Sequence, residues 1–418
     1  MCSEQLPYGG ERSMLQAMNQ AEELVTPALM GRTYIEKLRN KDLFFCPACK
    51  RKVMMKAGQR MTPHFAHYPN DTCPAAAGGE GPYHEAGKLL LYRWLKAQGI
   101  ATRLEPYLPE LQQRPDLLIQ AGGREIIIEY QCARIAKAGL LHRMLSYKDA
   151  GYEQLWILGG NRLKRKSTEK LSIDAFTGTF IHKFSRNKTP ALYFFCPHTL
   201  QTAVFQNPIY CNASAAIASA RFKKLPEIRL PELIQTEDIS LRQLAAAWTR
   251  EKQQLRLNRQ TKVYGQERLY RQWLYRNNAY LETLPSTVYL PVKSQHLMTV
   301  PPWNWQSRIS LELLLPLKAG SMFTFKACHQ RVRQFFRHPA EFLLFESGGC
   351  PVHEYIEQLE VLEYIQELSP GVYRLEKPIE FPQNVEHALY EDEVLMNKWL
   401  ENLKNQNTSM NSACSDIL

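Results

Sequence analysis

At 418 residues, 44% hydrophobic and 22% charged, the chain is long enough for two or three domains with real cores, and its composition excludes an intrinsically disordered protein. Its 52 basic against 41 acidic residues leave a formal charge of +11 and an isoelectric point near 9.1, which favours a polyanionic partner. The first thirty residues hold no apolar signal region and no uninterrupted apolar run approaches membrane-spanning length, so the sequence predicts no secretory signal, no membrane span and a cytoplasmic location, with ten cysteines too sparse for a disulfide scaffold.

Residues 14–41 mix apolar and basic positions without a clear period, and read as short strands or a turn of helix with a basic exit. Next comes FFCPACKRKVMMKAGQRMTPHFAHYPNDTC. Cys46 and Cys49 have the spacing of a metal knuckle, Val53 to Lys56 reads as a strand turning at Ala57-Gly58, and His64, His67 and Cys73 follow. Two thiolates plus two of those three residues make a tetrahedral nitrogen and sulfur set of the kind Zn²⁺ prefers. The favoured set is Cys46, Cys49, His67 and Cys73, with His64 as the alternative ligand or a neighbour of the site; a closed four-ligand site is structural, not catalytic. The small, Gly/Pro-rich stretch from Pro74 to Pro82 marks a domain edge.

From Tyr83 to Leu158 the pattern tightens. YHEAGKLLLYRWLKAQG repeats apolar residues at helical spacing up to Gly99, with Glu85 near its start. RPDLLIQAGGREIIIEYQC gives two β-rich runs, Leu117–Ile119 and Glu125–Tyr130, parted by Gly122-Gly123: a hairpin. Asp116 opens its first strand after Pro115, while Glu129 and Gln131 lie two apart on the second and so share a face. Both faces of the second strand are apolar, as in a sheet covered by helices. Carboxylates converging there can hold a hard cation such as Mg²⁺ with a water poised to attack a phosphate. A second helix follows, with Leu140, Leu141, Met144 and Leu145 as its stripe and Arg143 and Tyr147 on a neighbouring face; the strand Leu155–Leu158 then closes at Gly159-Gly160.

This order of helix, strand, hairpin, helix and strand, with acids on the first helix, in the PD dipeptide and in E-x-Q, resembles the PD-(D/E)xK nuclease superfamily. The ordered set PHFAH, RPDLLI, IIIEYQC, the spaced Arg143 and Tyr147, and YEQLWILGG looks more closely like the competence protein CoiA family, over most of the chain. The resemblance implies a restriction-endonuclease-like αβββαβ core with an N-terminal zinc-knuckle-like region and a mainly helical C-terminal domain. It further implies a Mg²⁺- or Mn²⁺-dependent deoxyribonuclease with Glu85, Asp116 and Glu129 on the ion, acting on incoming single-stranded or branched DNA during natural transformation and recombination. Gln131 stands where the superfamily pattern has lysine, and Arg143, with Tyr147 a turn later, is the expected source of the missing charge. The alternative function is a catalytically weak or inactive DNA-binding accessory protein that positions DNA for a recombinase.

Beyond the core, residues 161–188 hold eight basic and two acidic residues, Lys164, Arg165 and Lys166 among them, with Phe176, Phe180 and Phe184 interleaved and expected mostly in the interior. Leu192–Phe195 and Ala203–Gln206 read as another hairpin. Between Arg242 and Asn278 nine basic residues stand against two acidic ones in a helical pattern; Arg250, Lys252, Arg256, Arg259 and Lys262 are read as phosphate contacts, while Leu269, Tyr270 and Trp273 are expected to fill the interior. A Pro-rich stretch follows, then two acidic amphipathic helices at 354–368 and 385–404 that could dock proteins. The expected division is 1–80, 81–210, 211–404 and a disordered tail, 405–418.

Overall fold

A computed structural model describes residues 13–58, 61–69, 71–73, 81–184, 189–258, 263–338, 341–345 and 349–415. The chain forms two compact units: Met1–Leu163 with Leu192–Val204 and Arg221–Gln235, and Lys164–Ala191 with Phe205–Ala220 and Thr236–Leu418.

The first unit begins with strands β1 (Ser13–Met14), β2 (Ala17–Met18), β3 (Leu24–Val25), β4 (Phe44–Phe45), β5 (Lys52–Lys56) and β6 (His64–His67), and helix α1 (Arg32–Lys41). They form a sheet in the order β1-β6-β5-β4-β2-β3. Met14, Val25, Ile35, Phe44, Val53 and Phe65 make its small core. Most of these strands span only two residues, too few to show alternation, which is why the sequence before residue 42 reads ambiguously.

Helix α2 (Pro82–Ala97) starts with proline at its first position, buries Leu89, Leu91, Trp94 and Leu95, and ends before Gly99, whose φ is +75°. Then come β7 (Ala101–Leu104), β8 (Leu117–Ala121), β9 (Arg124–Gln131), α3 (Lys137–Asp149) and β10 (Glu153–Gly159), so the expected αβββαβ order is present. The β8–β9 turn is Gly122-Gly123 with φ of +58° and +74°, the left-handed pair that suits a tight two-residue hairpin. β9 runs antiparallel to β8 and parallel to β10, with α3 as the crossover.

After β10 the chain passes through β11 (Lys170–Ser172), α4 (Ala175–Gly178), β12 (Ala191–Cys196), the long strands β13 (Gln201–Asn212) and β14 (Ala215–Lys224), and α5 (Leu230–Ile234). Within the first unit the sheet order is β12-β10-β9-β8-β7. Its centre is buried on both faces: Ile127 and Glu129 lie on the side from which Arg143 and Tyr147 of α3 reach in. On the other side the Tyr130 ring lies so close to Gly87 of α2 that a Cβ there would collide with it.

The second unit is mainly helical: α6 (Leu241–Leu257), α7 (Gly265–Arg276), α8 (Pro302–Ile309), α9 (Phe325–Val332), α10 (Pro351–Val361) and α11 (Val385–Ser415), with a small sheet of β15 (Met322–Thr324), β16 (Ile365–Ser369) and β17 (Val372–Leu375). Trp248, Tyr270, Tyr289, Trp305 and Tyr355 centre its core. Two expectations change. The acidic helix over 354–368 ends at Val361, because Glu363 turns with a φ of +59° and IQELS continues as β16. α11 reaches Ser415, past the Lys404 boundary of the expected disordered tail; the stretch holds no Gly or Pro to stop it. Phe176 and Phe180 are interior as expected, whereas Phe184 is exposed.

A buried ion cluster ties α6 to α11. Asp392 takes two bonds from Arg256, at 2.5 and 2.8 Å, and lies 3.1 Å from the Lys252 ammonium, which also donates to the Ser286 and Val288 carbonyls. Asp392→Ala strands two buried cations, so we expect a loss of about 3–5 kcal/mol in urea unfolding. A loss under ~1 kcal/mol would mean that the cluster is effectively solvated.

Candidate functional site

The β8–β9 register pairs Leu117 with Ile128, and continuing it by one residue sets Asp116 across from Glu129. Asp116 is fixed by its own neighbour strand: Oδ2 accepts the Tyr130 amide at 2.8 Å. Glu129 is buried, and Oε1 accepts the Tyr147 hydroxyl at 2.6 Å, Arg143 Nε at 2.9 Å and Arg143 Nη2 at 2.7 Å. Burial pushes the Glu129 carboxyl up to about 7; Arg143 and Tyr147 pull it down, while the Asp116 charge adds to the rise, so the two acids sense each other. The Arg143 guanidinium is disfavoured by burial, yet Glu129, Tyr147 and Asp116 together hold it firmly protonated. Arg143 also donates to the Arg114 carbonyl at 2.8 Å, which locks it across the mouth of the hairpin.

From the opposite face α2 sends His84, Glu85 and Lys88. His84 Nε2 lies 3.3 Å from Asp116 Oδ2, and its ring stacks on Tyr130 with centroids 5.5 Å apart. Glu85 is buried one turn ahead of Lys88. Lys88 is 1% exposed, with its ammonium 2.5 Å from Glu105 Oε1 and 3.4 Å from Asp116 Oδ1. Glu105, just past β7, also accepts the Leu15 amide at 2.9 Å and lies 3.9 Å from Arg114.

The structure therefore brings Asp116, Glu129, Arg143 and Tyr147 together, with Glu85 buried on α2 between His84 and Lys88, the two residues of that helix that reach Asp116. Gln131 is different: its amide nitrogen donates to the Ala133 carbonyl at 2.5 Å, away from the Glu129 carboxylate. Lys88, His84 and Glu105 were missed. The signal for Lys88 was a lysine between Gly87 and Leu89 on the buried stripe of α2, where a cation needs a partner.

Among the described residues, the set of three or more His, Cys, Asp or Glu with all ligand atoms within 4.8 Å of one another is Cys46, Cys49, His67 and Cys73. Glu85, Asp116 and Glu129 are not gathered that tightly. Cys46 Sγ lies 3.9 Å from Cys73 Sγ, and Cys49 Sγ 3.3 Å from His67 Nε2. The knuckle is a tight turn: Lys50 N donates to Cys46 O, Cys46 N to Arg51 O, and Lys50 has a φ of +59°. His64 stands apart, with Nδ1 2.9 Å from the Thr62 carbonyl oxygen. A divalent cation such as Zn²⁺ fits this donor set, because three thiols and one imidazole offer four sulfur and nitrogen donors within 4.8 Å of one another; without a cation, burial and then the neighbouring thiols push the Cys46 thiol up to about 12.

The basic residues separate into groups. Lys164, Arg165 and Lys166 are exposed. Arg250 is exposed and holds Glu169 at 2.7 Å. Lys252 and Arg256 are corrected: both are buried against Asp392, so they have no access to phosphates. Arg259 and Lys262 lie outside the described residues. No helix among the described residues is long and apolar enough to cross a membrane.

Three family models match this chain in succession: the competence protein CoiA N-terminal domain over residues 29–76, its nuclease-like domain over 80–238 and its C-terminal domain over 244–389. The chain is also similar to competence protein CoiA of Bacillus subtilis (strain 168), 28% identical over 360 residues that cover 84% of this chain and 94% of that protein. No solved structure matches it.

Proposed function

Since the chain belongs to the competence protein CoiA family, we propose that its nuclease-like domain is a divalent-cation-dependent deoxyribonuclease that acts on single-stranded or branched DNA during natural transformation and recombination. The observation that carries this reading is the convergence of two buried carboxylates, Asp116 and Glu129, at the open end of the hairpin, with the Lys88 ammonium and the Arg143 guanidinium beside them. Burial and the Asp116 charge both raise the Glu129 carboxyl, and a hard cation held on the Asp116 and Glu129 oxygens would relieve that repulsion.

Asp116 and Glu129 are the residues that would hold Mg²⁺ or Mn²⁺, with Glu85 as an outer ligand. Bound there, such an ion supplies a water of lowered pKa and neutralises charge on the phosphate. Arg143 and Tyr147 keep the Glu129 carboxylate aimed at the hairpin mouth, and Tyr130 N keeps Asp116 in place. Lys88 takes over the role of the lysine absent at 131: its ammonium, held by Glu105, presents a fixed positive charge beside Asp116. Cys46, Cys49, His67 and Cys73 are the residues that would hold a structural Zn²⁺, which would supply folding energy and no chemistry of the reaction.

A panel of labelled single-stranded, duplex, flapped and four-way DNAs, incubated with Mg²⁺ or Mn²⁺ and with EDTA, tests the reading. We expect cation-dependent cleavage of at least one single-stranded or branched substrate. Binding without cleavage on every substrate would instead make the protein an accessory that positions DNA for a recombinase, as the Gln131 amide tied to Ala133 would allow.

The role of Lys88 has its own test. Lys88→Ala alone would leave Glu105 buried and unpaired, so the informative variant is Lys88→Met with Glu105→Gln, which removes both charges at similar volume. We expect the double variant to fold and to lose cleavage by ~10²-fold or more. Parental activity would reduce Lys88 to a counter-ion of Glu105.

A further inference from the structure

One face of α7 is exposed although its residues are mostly large. Tyr264, the residue before the first turn, is 75% exposed, Tyr275 71% and Leu269 58%. The opposite face does the work of the core: Tyr270 and Leu274 are buried, and Trp273 donates to Glu312 while Arg308 lies 4.3 Å over its ring. At 100° per residue Tyr264, Arg268 and Tyr275 fall within ~40° of one another, Arg276 and Leu269 follow at ~120° and ~140° from Tyr264 on the same exposed arc, and the two rings stand ~16 Å apart along the axis.

The charge on this face has one sign. Arg268 and Arg276 are exposed and make no ion pair among the described residues, while the helix's acid, Glu267, is engaged by Arg271 at 3.1 Å. Exposed rings interleaved with unpaired guanidinium groups match a ligand that carries both an anionic backbone and free aromatic faces. A duplex hides its base faces in the stack, and an acidic protein surface offers none. We propose that the exposed face of α7 is a stacking platform for single-stranded DNA, with Tyr264 and Tyr275 against bases and Arg268 and Arg276 against phosphates. The platform stands on exposure and charge alone, and does not depend on the hairpin carboxylates being catalytic.

The test is fluorescence anisotropy of a dye-labelled oligothymidylate and of a duplex of equal length, with the zinc-loaded full chain in buffer free of Mg²⁺ and Mn²⁺ and without a chelator, so that cleavage plays no part and the zinc site stays intact. Tyr264→Ala with Tyr275→Ala should weaken oligothymidylate binding about tenfold or more, leave duplex binding within about twofold, and leave the melting temperature unchanged. Tyr264→Phe with Tyr275→Phe should restore the affinity, because the ring and not the hydroxyl stacks. Arg268→Gln with Arg276→Gln should lower the slope of log K against log salt by roughly 1.4, at ~0.7 per phosphate contact. Parental affinity of the alanine pair for the single strand, or equal losses for single strand and duplex, would overturn the platform and leave this face to a protein partner.

Discussion

Replacing Asp116 or Glu129 by alanine is expected to abolish cation-dependent cleavage while leaving DNA affinity within about twofold of the parent. On the proposed reading each substitution would remove an oxygen ligand of the cation, while leaving the exposed basic residues such as Lys164, Arg165 and Lys166 untouched. The substitutions differ in their structural cost. Asp116→Ala frees the Tyr130 amide and one contact of Lys88, whereas Glu129→Ala leaves Arg143 and Tyr147 buried without their acceptor. Asp116→Asn and Glu129→Gln are therefore the cleaner pair, since they keep the volume and most hydrogen bonds. Arg143→Ala is expected to cost ~10²-fold or more, because Arg143 both orients Glu129 and supplies charge. Glu85→Ala should be milder, while Gln131→Ala should change little, its amide being spent on a backbone carbonyl. Gel-based cleavage with a parallel anisotropy titration separates these outcomes. Cleavage surviving in the Asp116→Asn, Glu129→Gln double variant would place the chemistry elsewhere.

The second large effect is on folding. Purified protein should carry about one Zn²⁺ per chain, and Cys46→Ser should lose it together with the protease resistance of the N-terminal sheet. The reason is geometric: Cys46 directly follows β4 and opens the knuckle turn to Cys49, and His67 ends β6, so the four ligands pin three chain segments whose own core is a handful of residues. So small a core depends on such a staple. His64→Ala should retain the metal. Mass spectrometry of native protein and limited proteolysis read both effects; zinc-free protein that is fully folded, or an equally stable Cys46→Ser variant, would dismiss the site.

The hairpin and its acids were legible because strong punctuation frames them: Pro115 stops one segment, Gly122-Gly123 forces the turn, and Gly159-Gly160 ends β10. The choice of His67 over His64 follows from strand geometry, since residues three apart on β6 point to opposite faces and the two histidines cannot both meet the thiols. Long-range pairing was not legible. Lys252 and Arg256 look like a solvated basic face until Asp392, 136 residues beyond Arg256, takes them inside. Lys88 hides in the same way, because its partners Glu105 and Asp116 come from other segments. On α3 the periodic stripe included Leu145, which is exposed, and left out Tyr147, which is buried on Glu129; the polar contact, not hydropathy, sets that face. On α7 Leu269 was expected inside with Tyr270, yet one residue of rotation puts it in solvent.

The claim that Asp116 and Glu129 form a cation site is tested most directly by titrating Mn²⁺ into zinc-loaded protein by calorimetry, with the Asp116→Asn, Glu129→Gln double variant alongside. The account predicts saturable Mn²⁺ binding to the parent and none to the variant, with the zinc content equal in both. Parent protein that binds no Mn²⁺, or a variant that binds it as tightly as the parent, would contradict it.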